Sequence, residues 1–176
     1  MILKDNELVC RAIDENDASC LLEMINDAEI ENAVVGWSFP VSMIAQKEWI
    51  ANLGKDKSNI RYAIDSGNGM IGMASLSAID FKNKTANLNV KLLKNARGKG
   101  YASRAIKLLI KYCFEELNLN CLTAKILAEN AASNNLFTNL GFYLEGSLRK
   151  RVFKGDEYHD LNSYSYLRDE YDKRNW

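Results

Sequence analysis

The sequence predicts one α/β (α+β) domain over residues 1–176, built as a three-layer sandwich with a mixed, mostly antiparallel central sheet flanked by helices. Three observations predict this fold class. The chain has 176 residues, 47% hydrophobic and 26% charged, which suits a single domain with a real core. Three consecutive strand patterns joined by short turns predict an antiparallel meander. A long amphipathic helix pattern and further strands then follow, so that helices cover the sheet.

The first third of the chain predicts one strand and two helices. The apolar run Leu8–Ala12 predicts a strand. Asn16 is predicted to cap a helix from Asp17 to about Asn26, because apolar side chains recur on one face of that segment. After an irregular stretch that contains Pro40, Ser42 is predicted to cap the second helix.

In the middle of the chain the hydrophobic pattern changes to the two-residue alternation of strands. Ile60–Asp65 and Met70–Asp80 flank Ser66-Gly67-Asn68-Gly69, whose residues accept the positive φ angles of a hairpin turn. Thr85–Leu93 completes the predicted meander. Apolar residues at helical spacing then predict a long helix from Tyr101 to Leu117.

The last third predicts a buried strand, a short helix and two closing strands. The strand is Cys121–Leu127, and the helix Ser133–Leu140 ends at Gly141. The closing strands run from about Tyr143 to Phe153 and from Tyr158 to Leu167. The charged segment that begins at Arg168 is expected to be frayed.

Composition excludes several classes of function. Lys+Arg and Asp+Glu are equal, at 23 each, so no excess of positive charge favours general nucleic-acid binding. No apolar run approaches the roughly 20 residues of a membrane span, and the N-terminus has no apolar signal core. The four cysteines follow no ligand spacing and His159 is the only histidine, so no metal is expected. We expect a cytoplasmic protein with reduced thiols and no membrane contact.

The most informative stretch joins the third meander strand to the long helix and reads Arg97-Gly98-Lys99-Gly100-Tyr101-Ala102. Such a loop presents several backbone N–H groups beside the positive end of the helix dipole, and its small residues let a ligand approach closely. These features predict a phosphate or pyrophosphate site. The loop matches neither a Walker A motif nor a dinucleotide fingerprint. A solvated loop that only caps the helix is the alternative.

The motif Arg97-x-x-Gly100-x-Ala102 at a strand-to-helix junction resembles the acetyl-CoA pyrophosphate loop of the GNAT superfamily of N-acetyltransferases. Asn130, before a short helix that ends in Leu140-Gly141-Phe142, resembles the second signature of that family. Residues 143–146 and 155–160 are similar to the subgroup of ribosomal-protein, spermidine and nucleotide-amino-sugar acetyltransferases. The resemblance covers essentially the whole chain.

The resemblance implies a GNAT-like V-shaped opening between the strands Thr85–Leu93 and Cys121–Leu127, with acetyl-CoA held between the splayed strands as a cosubstrate and no metal. The pantetheine arm would pair with backbone groups of Val90 and Leu92, and the loop would hold the pyrophosphate. Asn130 would bind the pantetheine arm, or would be a plain helix N-cap. The residues implied in cofactor binding are Val90, Leu92, Arg97, Gly98, Lys99, Gly100, Tyr101, Ala102 and Asn130.

The same resemblance implies direct attack of an amine on the thioester, with the backbone N–H of Leu92 polarising the carbonyl. Many family members carry a tyrosine general acid four residues beyond a serine. Here that position is Phe137, which cannot donate a proton. Ser133 matches a serine of the ribosomal-protein branch, so the resemblance implies that it stabilises the departing thiolate; alternatively it satisfies only the first helical turn. A water chain could remove the proton of the amine, or a side-chain base could do so. The candidate bases are Glu29, Glu31, His159 and Asp160.

We therefore expect an acetyl-CoA-dependent N-acetyltransferase that acts on a primary amine. The expected acceptors are, in order, a protein N-terminus as in the ribosomal-protein enzymes, a nucleotide-linked amino sugar and a polyamine. Phe137 favours a different function, a non-catalytic acyl-CoA-binding regulatory module. A homodimer is compatible with the subgroup that the chain resembles.

Aromatic and basic side chains are expected near the acceptor. Trp37 and Phe39 could form apolar walls there, whereas Trp49 is expected to pack in the core. A basic cluster could attract an anionic acceptor or could be a solvated strand edge. Its members are Arg149, Lys150, Arg151 and Lys154.

Overall fold

The structure, a computed structural model, describes residues 1–36 and 39–173. Its strands are β1 (Leu3–Asp5), β2 (Leu8–Ala12), β3 (Ile60–Asp65), β4 (Met70–Asp80), β5 (Thr85–Leu92), β6 (Cys121–Leu127), β7 (Tyr143–Lys154) and β8 (Glu157–Leu167). Its α-helices are α1 (Ala18–Asn26), α2 (Ala28–Ala33), α3 (Met43–Asn52), α4 (Tyr101–Lys111), α5 (Ala131–Asn139) and α6 (Arg168–Asp172). The expected location of Trp37 beside an acceptor lies outside the described residues.

The described strands form one sheet in the order β1-β2-β3-β4-β5-β6-β8-β7. Every neighbouring pair is antiparallel except β5 and β6, which are parallel. The predicted mixed, mostly antiparallel sheet and its β3–β5 meander are therefore confirmed. The long connection through α4 is what allows β5 and β6 to run in the same direction.

Helices pack on the two faces of this sheet. Helix α4 buries Ala105 and Leu109 against the side of β5 that carries Ala86 and Leu88. Side chains alternate between the faces of a strand, so Lys91 lies on the opposite face, where α1 and α3 line a cavity with it. The sheet is thus the middle layer of the predicted sandwich. None of the described helices is both long and apolar enough to cross a bilayer.

Two predicted caps had different outcomes. Ser42 caps α3 as expected, because its hydroxyl accepts the N–H of Ala45 at 3.2 Å. The prediction that Asn16 caps the first helix was wrong. The carboxylate of Asp14 caps a short 3₁₀ turn instead and accepts the N–H of Asn16 at 2.8 Å. Asp14 is placed to do so because Asp17 accepts the N–H of Asp14 in return, at 3.0 Å, which completes a capping box.

Other element bounds differ from prediction for local reasons. The predicted long helix keeps α-helical form only to Lys111 and continues as a π-helical turn over Tyr112–Glu116. Helix α5 begins two residues before the predicted Ser133 because Asn130 caps it. Strand β1 and helix α2 were not predicted, since each is too short to show a period.

The prediction that the segment after residue 167 is frayed was wrong over α6. The Arg168 guanidinium donates hydrogen bonds to the backbone oxygens of Phe114, at 2.5 Å, and Leu119, at 2.9 Å. It also lies 5.6 Å from the centroid of the Phe114 ring. The end of the π-helical turn leaves carbonyl oxygens without helical partners, and an arginine fork is well suited to bind them.

All four cysteines are free, and Cys10 and Cys113 are completely buried. Burial raises the pKa of both thiols to about 12. A thiolate is the nucleophilic form of cysteine, so these two side chains act as small hydrophobic groups in the core.

An ion-paired cluster fixes the start of α1 to the sheet. The Arg11 guanidinium binds the Asp17 carboxylate through two hydrogen bonds, at 2.8 and 2.9 Å, and contacts Asp65 at 3.0 Å. Asp17 is only 4% exposed. Burial alone would raise the pKa of Asp17, but the hydrogen bonds from Arg11 and from the Asp14 N–H, with the charge of Arg11, together lower it.

Replacing Arg11 with Met is expected to lower the free energy of unfolding by about 3–5 kcal/mol near neutral pH, because a buried carboxylate loses its partner. In the parent protein the low pKa of Asp17 contributes stability above the unfolded pKa of about 4, and this contribution is lost as pH falls through the folded pKa. The variant lacks that contribution, so the two proteins should converge in acid. Urea unfolding measured from pH 7 down to about pH 2 follows this convergence.

The double variant Arg11→Met, Asp17→Asn is the control, since it removes both charges. It should be more stable than Arg11→Met alone at pH 7. A loss in Arg11→Met that stays constant across the pH range would contradict the assigned role of Asp17.

Candidate active site

The sheet divides where β5 and β6 stop pairing. The two strands pair only at Thr85–Asn87 with Cys121–Thr123. Beyond that point β6 stays paired with β8 as far as Leu127, and β5 stays paired with β4 as far as Leu92. At the fork the Thr123 hydroxyl donates a hydrogen bond to the amide oxygen of Asn87. The result is a V-shaped opening between two strands, as the resemblance implied.

The edge of β5 presents backbone groups to this opening. The N–H of Leu93 donates to the oxygen of Ile71 on β4 at 3.0 Å. Backbone N–H groups alternate in direction along a strand, so those of Leu92 and Val90 point away from β4 and toward the opening. The Leu92 carbonyl faces the same way, because it accepts the Arg97 Nε at 3.2 Å.

A cavity of about 360 Å³, here called the cleft cavity, lies along this edge and reaches the N-terminus of α4. Eight of the nine residues predicted for cofactor binding line it, namely Val90, Leu92, Arg97, Gly98, Gly100, Tyr101, Ala102 and Asn130. Lys99 is exposed and does not line it. The structure thus brings together, around one cavity, residues that the sequence distributes over 41 positions, from 90 to 130.

The loop before α4 has the backbone of an anion-binding turn. Gly98 and Gly100 have φ angles of 74° and 80°, a left-handed conformation that favours glycine. Gly100 is the N-cap residue of α4, so the next N–H groups have no acceptor within the helix. Tyr101, Ala102 and Ser103 of that first turn line the cleft cavity. An anion there would meet free N–H groups and the positive end of the helix dipole.

The opposite wall of the cleft cavity is the N-terminus of α5. The Asn130 side chain caps this helix by accepting the N–H of Ser133 at 3.0 Å, and its amide group donates to the oxygen of Ala33 at 2.9 Å. The N-cap interpretation of Asn130 is therefore confirmed, and the residue also connects α5 to the end of α2. Ser133 is half-buried and faces the cavity.

Asn134, which the sequence analysis did not identify, positions this wall. Its amide oxygen accepts the Tyr164 hydroxyl at 2.8 Å and the Asn162 amide at 2.9 Å. Its amide nitrogen donates to the oxygens of Leu127, at 3.0 Å, and Asn130, at 2.8 Å. The first turn of α5 is thereby fixed to β6 and β8. The spacing of Asn130 and Asn134, one helical turn apart, is the only sequence signal for this arrangement.

Two further cavities adjoin the cleft cavity. The inner cavity, about 270 Å³, continues between β5 and β6 and is lined by Ser133 and Phe137 among others. The helix cavity, about 360 Å³, lies between α1, α3 and the sheet and is lined mainly by apolar side chains. These are Leu21, Met24, Ile25, Val41, Ala45, Trp49 and Met73.

The position predicted to lack a general acid is apolar in the structure as well. Phe137 is 3% exposed and its ring packs edge-on against Phe142, with centroids 5.0 Å apart. No proton donor can be supplied by this side chain. Ser133, one helical turn earlier, is the one described hydroxyl side chain that lines both the cleft and the inner cavity.

None of the candidate bases lines any of the three cavities, and this includes Glu31 and His159. The Glu31 carboxylate is bound by the Lys154 ammonium at 2.5 Å. His159 is held by Glu129, with Nδ1 and Oε1 2.6 Å apart, and its Nε2 lies 3.2 Å from the Lys154 carbonyl oxygen. Among the described residues, the linings contain no Asp, Glu or His at all. The expectation that either side chain faces the acceptor therefore gains no support.

Glu29 forms ion pairs with two cationic side chains at the loop before α4. Its carboxylate contacts Arg97 Nη1 at 2.7 Å and Lys94 Nζ at 3.0 Å. The hydrogen bond and charge of Lys94, and then the charge of Arg97, lower the pKa of Glu29. A carboxylate on α2 thus pairs with the same arginine that is predicted to add charge at the pyrophosphate site.

The aromatic and basic residues expected near the acceptor do not surround one common cavity. Trp49 is a half-buried wall of the helix cavity, with the Arg61 guanidinium 5.5 Å from its ring. Phe39 is 70% exposed and lines none of the three cavities. The basic cluster lines none of these three cavities either. Arg149, Lys150 and Arg151 are exposed on β7, and Lys154 is turned toward Glu31.

Lys91 is the second residue that the sequence analysis left without a role. It lies between Val90 and Leu92 on β5, yet it lines the cleft, inner and helix cavities together. Burial lowers the pKa of Lys91, the nearby Glu31 charge raises it in part, and Lys154 lowers it further. No group of three metal-ligating side chains occurs in the part of the chain that the structure describes.

Comparison with known proteins agrees with this geometry. The model of the acetyltransferase (GNAT) domain matches residues 7–143. The N-acetyltransferase p20 of Bacillus licheniformis is 31% identical over 173 residues, 96% of this chain and 97% of that protein. The ribosomal-protein-serine acetyltransferase of Escherichia coli is 33% identical over 100 residues, 57% of this chain and 56% of that protein.

Solved structures share the fold. The spermidine N-acetyltransferase of Vibrio cholerae, in complex with CoA and spermine, superposes with a TM-score of 0.87. It is 24% identical, and the match covers 95% of this chain and 99% of that one. At this identity the likeness concerns the architecture and not the acceptor.

Proposed function

The chain belongs to the acetyltransferase (GNAT) domain family, and from this premise we propose that it transfers the acetyl group of acetyl-CoA to the primary amine at a protein N-terminus. The observation that supports this proposal most directly is the cleft cavity. It joins the unpaired edge of β5 to the glycine loop at the start of α4. That combination suits a long ligand with amide groups at one end and a pyrophosphate at the other.

The residues of the cleft suggest how the cosubstrate is held. The backbone N–H groups of Val90 and Leu92 would pair with the amides of the pantetheine arm as an added strand does. The N–H groups that follow Gly100, together with Arg97, would bind the pyrophosphate. A relative of the same fold binds CoA, which is consistent with this use of the cleft.

The chemistry has three requirements: the thioester carbonyl must be polarised, the departing thiolate must be stabilised and the acceptor amine must lose its proton. Acetyl-CoA supplies the activated thioester. The Leu92 N–H would polarise its carbonyl oxygen as negative charge develops there. The Ser133 hydroxyl would donate a hydrogen bond to the departing thiolate, since Phe137 cannot. The acceptor amine must lose its proton before it attacks, and because the described linings hold no carboxylate or imidazole, water would carry that proton away.

Charge in the cavities favours a protein N-terminus over a polyamine. The charged side chains that line the three cavities are Lys91, Arg97 and Lys125, and all are cationic. A polyamine carries several positive charges and would require carboxylates to offset their desolvation. An N-terminal amine brings a single positive charge and a neutral backbone, so it meets far less repulsion.

The first test is binding of acetyl-CoA to Gly100→Leu. A side chain at this position would be strained by its φ of 80° and would stand among the N–H groups of the loop. We expect calorimetry to show saturable binding by the parent protein and at least about tenfold weaker binding by the variant.

Gly155→Leu is the matched control. Gly155 also has a positive φ, 63°, and open space around it, but it lies on the exposed turn between β7 and β8. The Gly155→Leu variant should lose about as much stability as Gly100→Leu but keep the parent affinity for acetyl-CoA. Equal binding by the parent protein and a folded Gly100→Leu would contradict the pyrophosphate site.

The second test concerns the acceptor. Peptides with a free N-terminal amine should gain one acetyl group, as measured by mass spectrometry, and spermidine should react with a kcat/KM at least about tenfold lower because the cavity linings are cationic. The same peptides with a blocked N-terminus and an internal lysine are the control. Faster turnover of spermidine would contradict the proposed acceptor class, and acetyl-CoA binding without any turnover would favour a regulatory module.

The third test concerns Glu29. Its carboxylate pairs with Arg97 and Lys94 where the pyrophosphate would bind, so it should compete with that anion. Glu29→Gln is expected to bind acetyl-CoA about threefold to fivefold more tightly, the size of an effect from exposed ion pairs. Calorimetry at constant ionic strength measures it.

Glu7→Gln is the control for this test, because Glu7 forms a similarly exposed ion pair with Arg104, at 2.8 Å, away from the cavities. Its affinity for acetyl-CoA should equal that of the parent protein. Unchanged or weaker binding by Glu29→Gln would show that the two anions do not share this site.

A further inference from the structure

Lys91 is the one described residue that lines the cleft, inner and helix cavities together. It pairs with Met73 across β4 and β5, and both side chains lie on the face that α1 and α3 cover. Its neighbours Val90 and Leu92 present their backbone to the cleft. The ammonium group therefore lies beside the place where an acceptor would meet the thioester.

The Lys91 ammonium has no fixed anionic partner. It forms no hydrogen bond or ion pair with any described residue, and none of the described cavity linings contains a carboxylate. The carboxylate whose charge affects the pKa of Lys91 is that of Glu31, but this carboxylate is bound by Lys154 at 2.5 Å. Burial lowers the pKa of Lys91, as expected for a cation removed from water without a counter-charge.

A partly buried cation with no ion-pair partner among the described residues favours an anionic ligand group beside it. Desolvation of the ammonium is unfavourable, and a carboxylate within hydrogen-bond distance would offset it. The rest of the helix cavity is apolar, with Leu21, Met24 and Trp49 among its walls. The ligand that fits both features has an apolar group and a carboxylate close together.

We propose that Lys91 determines acceptor specificity by binding a carboxylate of the acceptor, while the helix cavity receives an apolar side chain of the same molecule. This inference rests on the proposed function, since it assumes that an amine reacts in the cleft. Consecutive Cα atoms are about 3.8 Å apart, so a carboxylate that reaches Lys91 lies within one or two residues of the reacting amine. A peptide with a large apolar first residue and an acidic second one has this chemistry, and so does a free apolar amino acid.

The same charge acts against other acceptors. A second positive charge near the reacting amine would face the Lys91 ammonium directly, and like charges in a partly desolvated site repel strongly. Lys91 would therefore select for an acidic acceptor and against a basic one by one electrostatic effect.

The experiment compares acceptors that differ only in charge. Peptides that begin Met-Asp, Met-Asn and Met-Lys, with otherwise identical sequences, are assayed with acetyl-CoA, together with free methionine and methionine amide. The parent protein should prefer Met-Asp to Met-Asn by about 10- to 100-fold in kcat/KM, as a charge-assisted hydrogen bond predicts, and Met-Lys should be the poorest peptide. Free methionine measured against its amide shows whether an α-carboxylate serves equally well.

Lys91→Met keeps the length and apolar stem of the side chain and removes its charge. In this variant the preference for Met-Asp should fall to about one, chiefly through a higher KM for the acidic peptide. Lys91→Glu should reverse the order of Met-Asp and Met-Lys. Lys111→Met, which removes an exposed charge from α4 outside the cavities, should keep the parent preference.

Three results would overturn the proposal while leaving the proposed function intact: no charge preference in the parent protein, the same preference in Lys91→Met, or an equal loss of activity toward every acceptor in a folded Lys91→Met. The last would overturn it because Lys91 would then serve the chemistry and not the selection. Calorimetry with acetyl-CoA on each variant, together with the turnover assay, separates these results from failure of the proposed function, which would show no turnover in the parent protein, with or without binding, and would overturn both.

Discussion

The short pairing between β5 and β6 is the constraint on which the rest of the site depends. Only three residues of each strand pair before they separate, and each strand remains held by its other neighbour, β4 or β8. Backbone N–H and carbonyl groups that lie inside a protein require partners. The separated edge around Val90 and Leu92 therefore gives the fold a site for an extended ligand, and the loop that follows places the N-terminus of α4 at the end of the same edge.

The other wall of the opening depends on polar contacts that connect distant segments. Asn134 fixes the first turn of α5 to β6 and β8, and Asn130 connects that turn to the oxygen of Ala33 at the end of α2. Helix α2 also reaches the glycine loop through Glu29 and Arg97. This short helix thus contacts both sides of the cleft, and a ligand that displaced Glu29 would change the contacts of the segment that borders the acceptor cavities.

Local patterns predicted the sheet, the amphipathic α4 and the glycine loop, because strand alternation, helical periodicity and loop chemistry are all properties of neighbouring residues. The predicted role of Asn130 as an N-cap was confirmed for the same reason. The roles of Lys91 and Glu29 could not be assigned from sequence, since they depend on what surrounds each side chain. Lys91 has no ion-pair partner among the described residues, and Glu29 pairs with Arg97 across 68 positions of the chain. The caps show the same limit, because the choice of Asp14 over Asn16 depends on the reciprocal hydrogen bond from Asp14 to Asp17.

The absence of a carboxylate or imidazole from the described cavity linings has a consequence for the chemistry. An acceptor amine must be neutral to attack, and the described linings supply no fixed group to remove its proton. A nearby positive charge lowers the pKa of an ammonium group, so Lys91 would increase the neutral fraction of an amine bound beside it. The acceptor's carboxylate, bound to Lys91, would weaken that effect. Acceptor selection and amine activation would then oppose each other at one side chain, and the balance between them depends on how far the carboxylate lies from the amine.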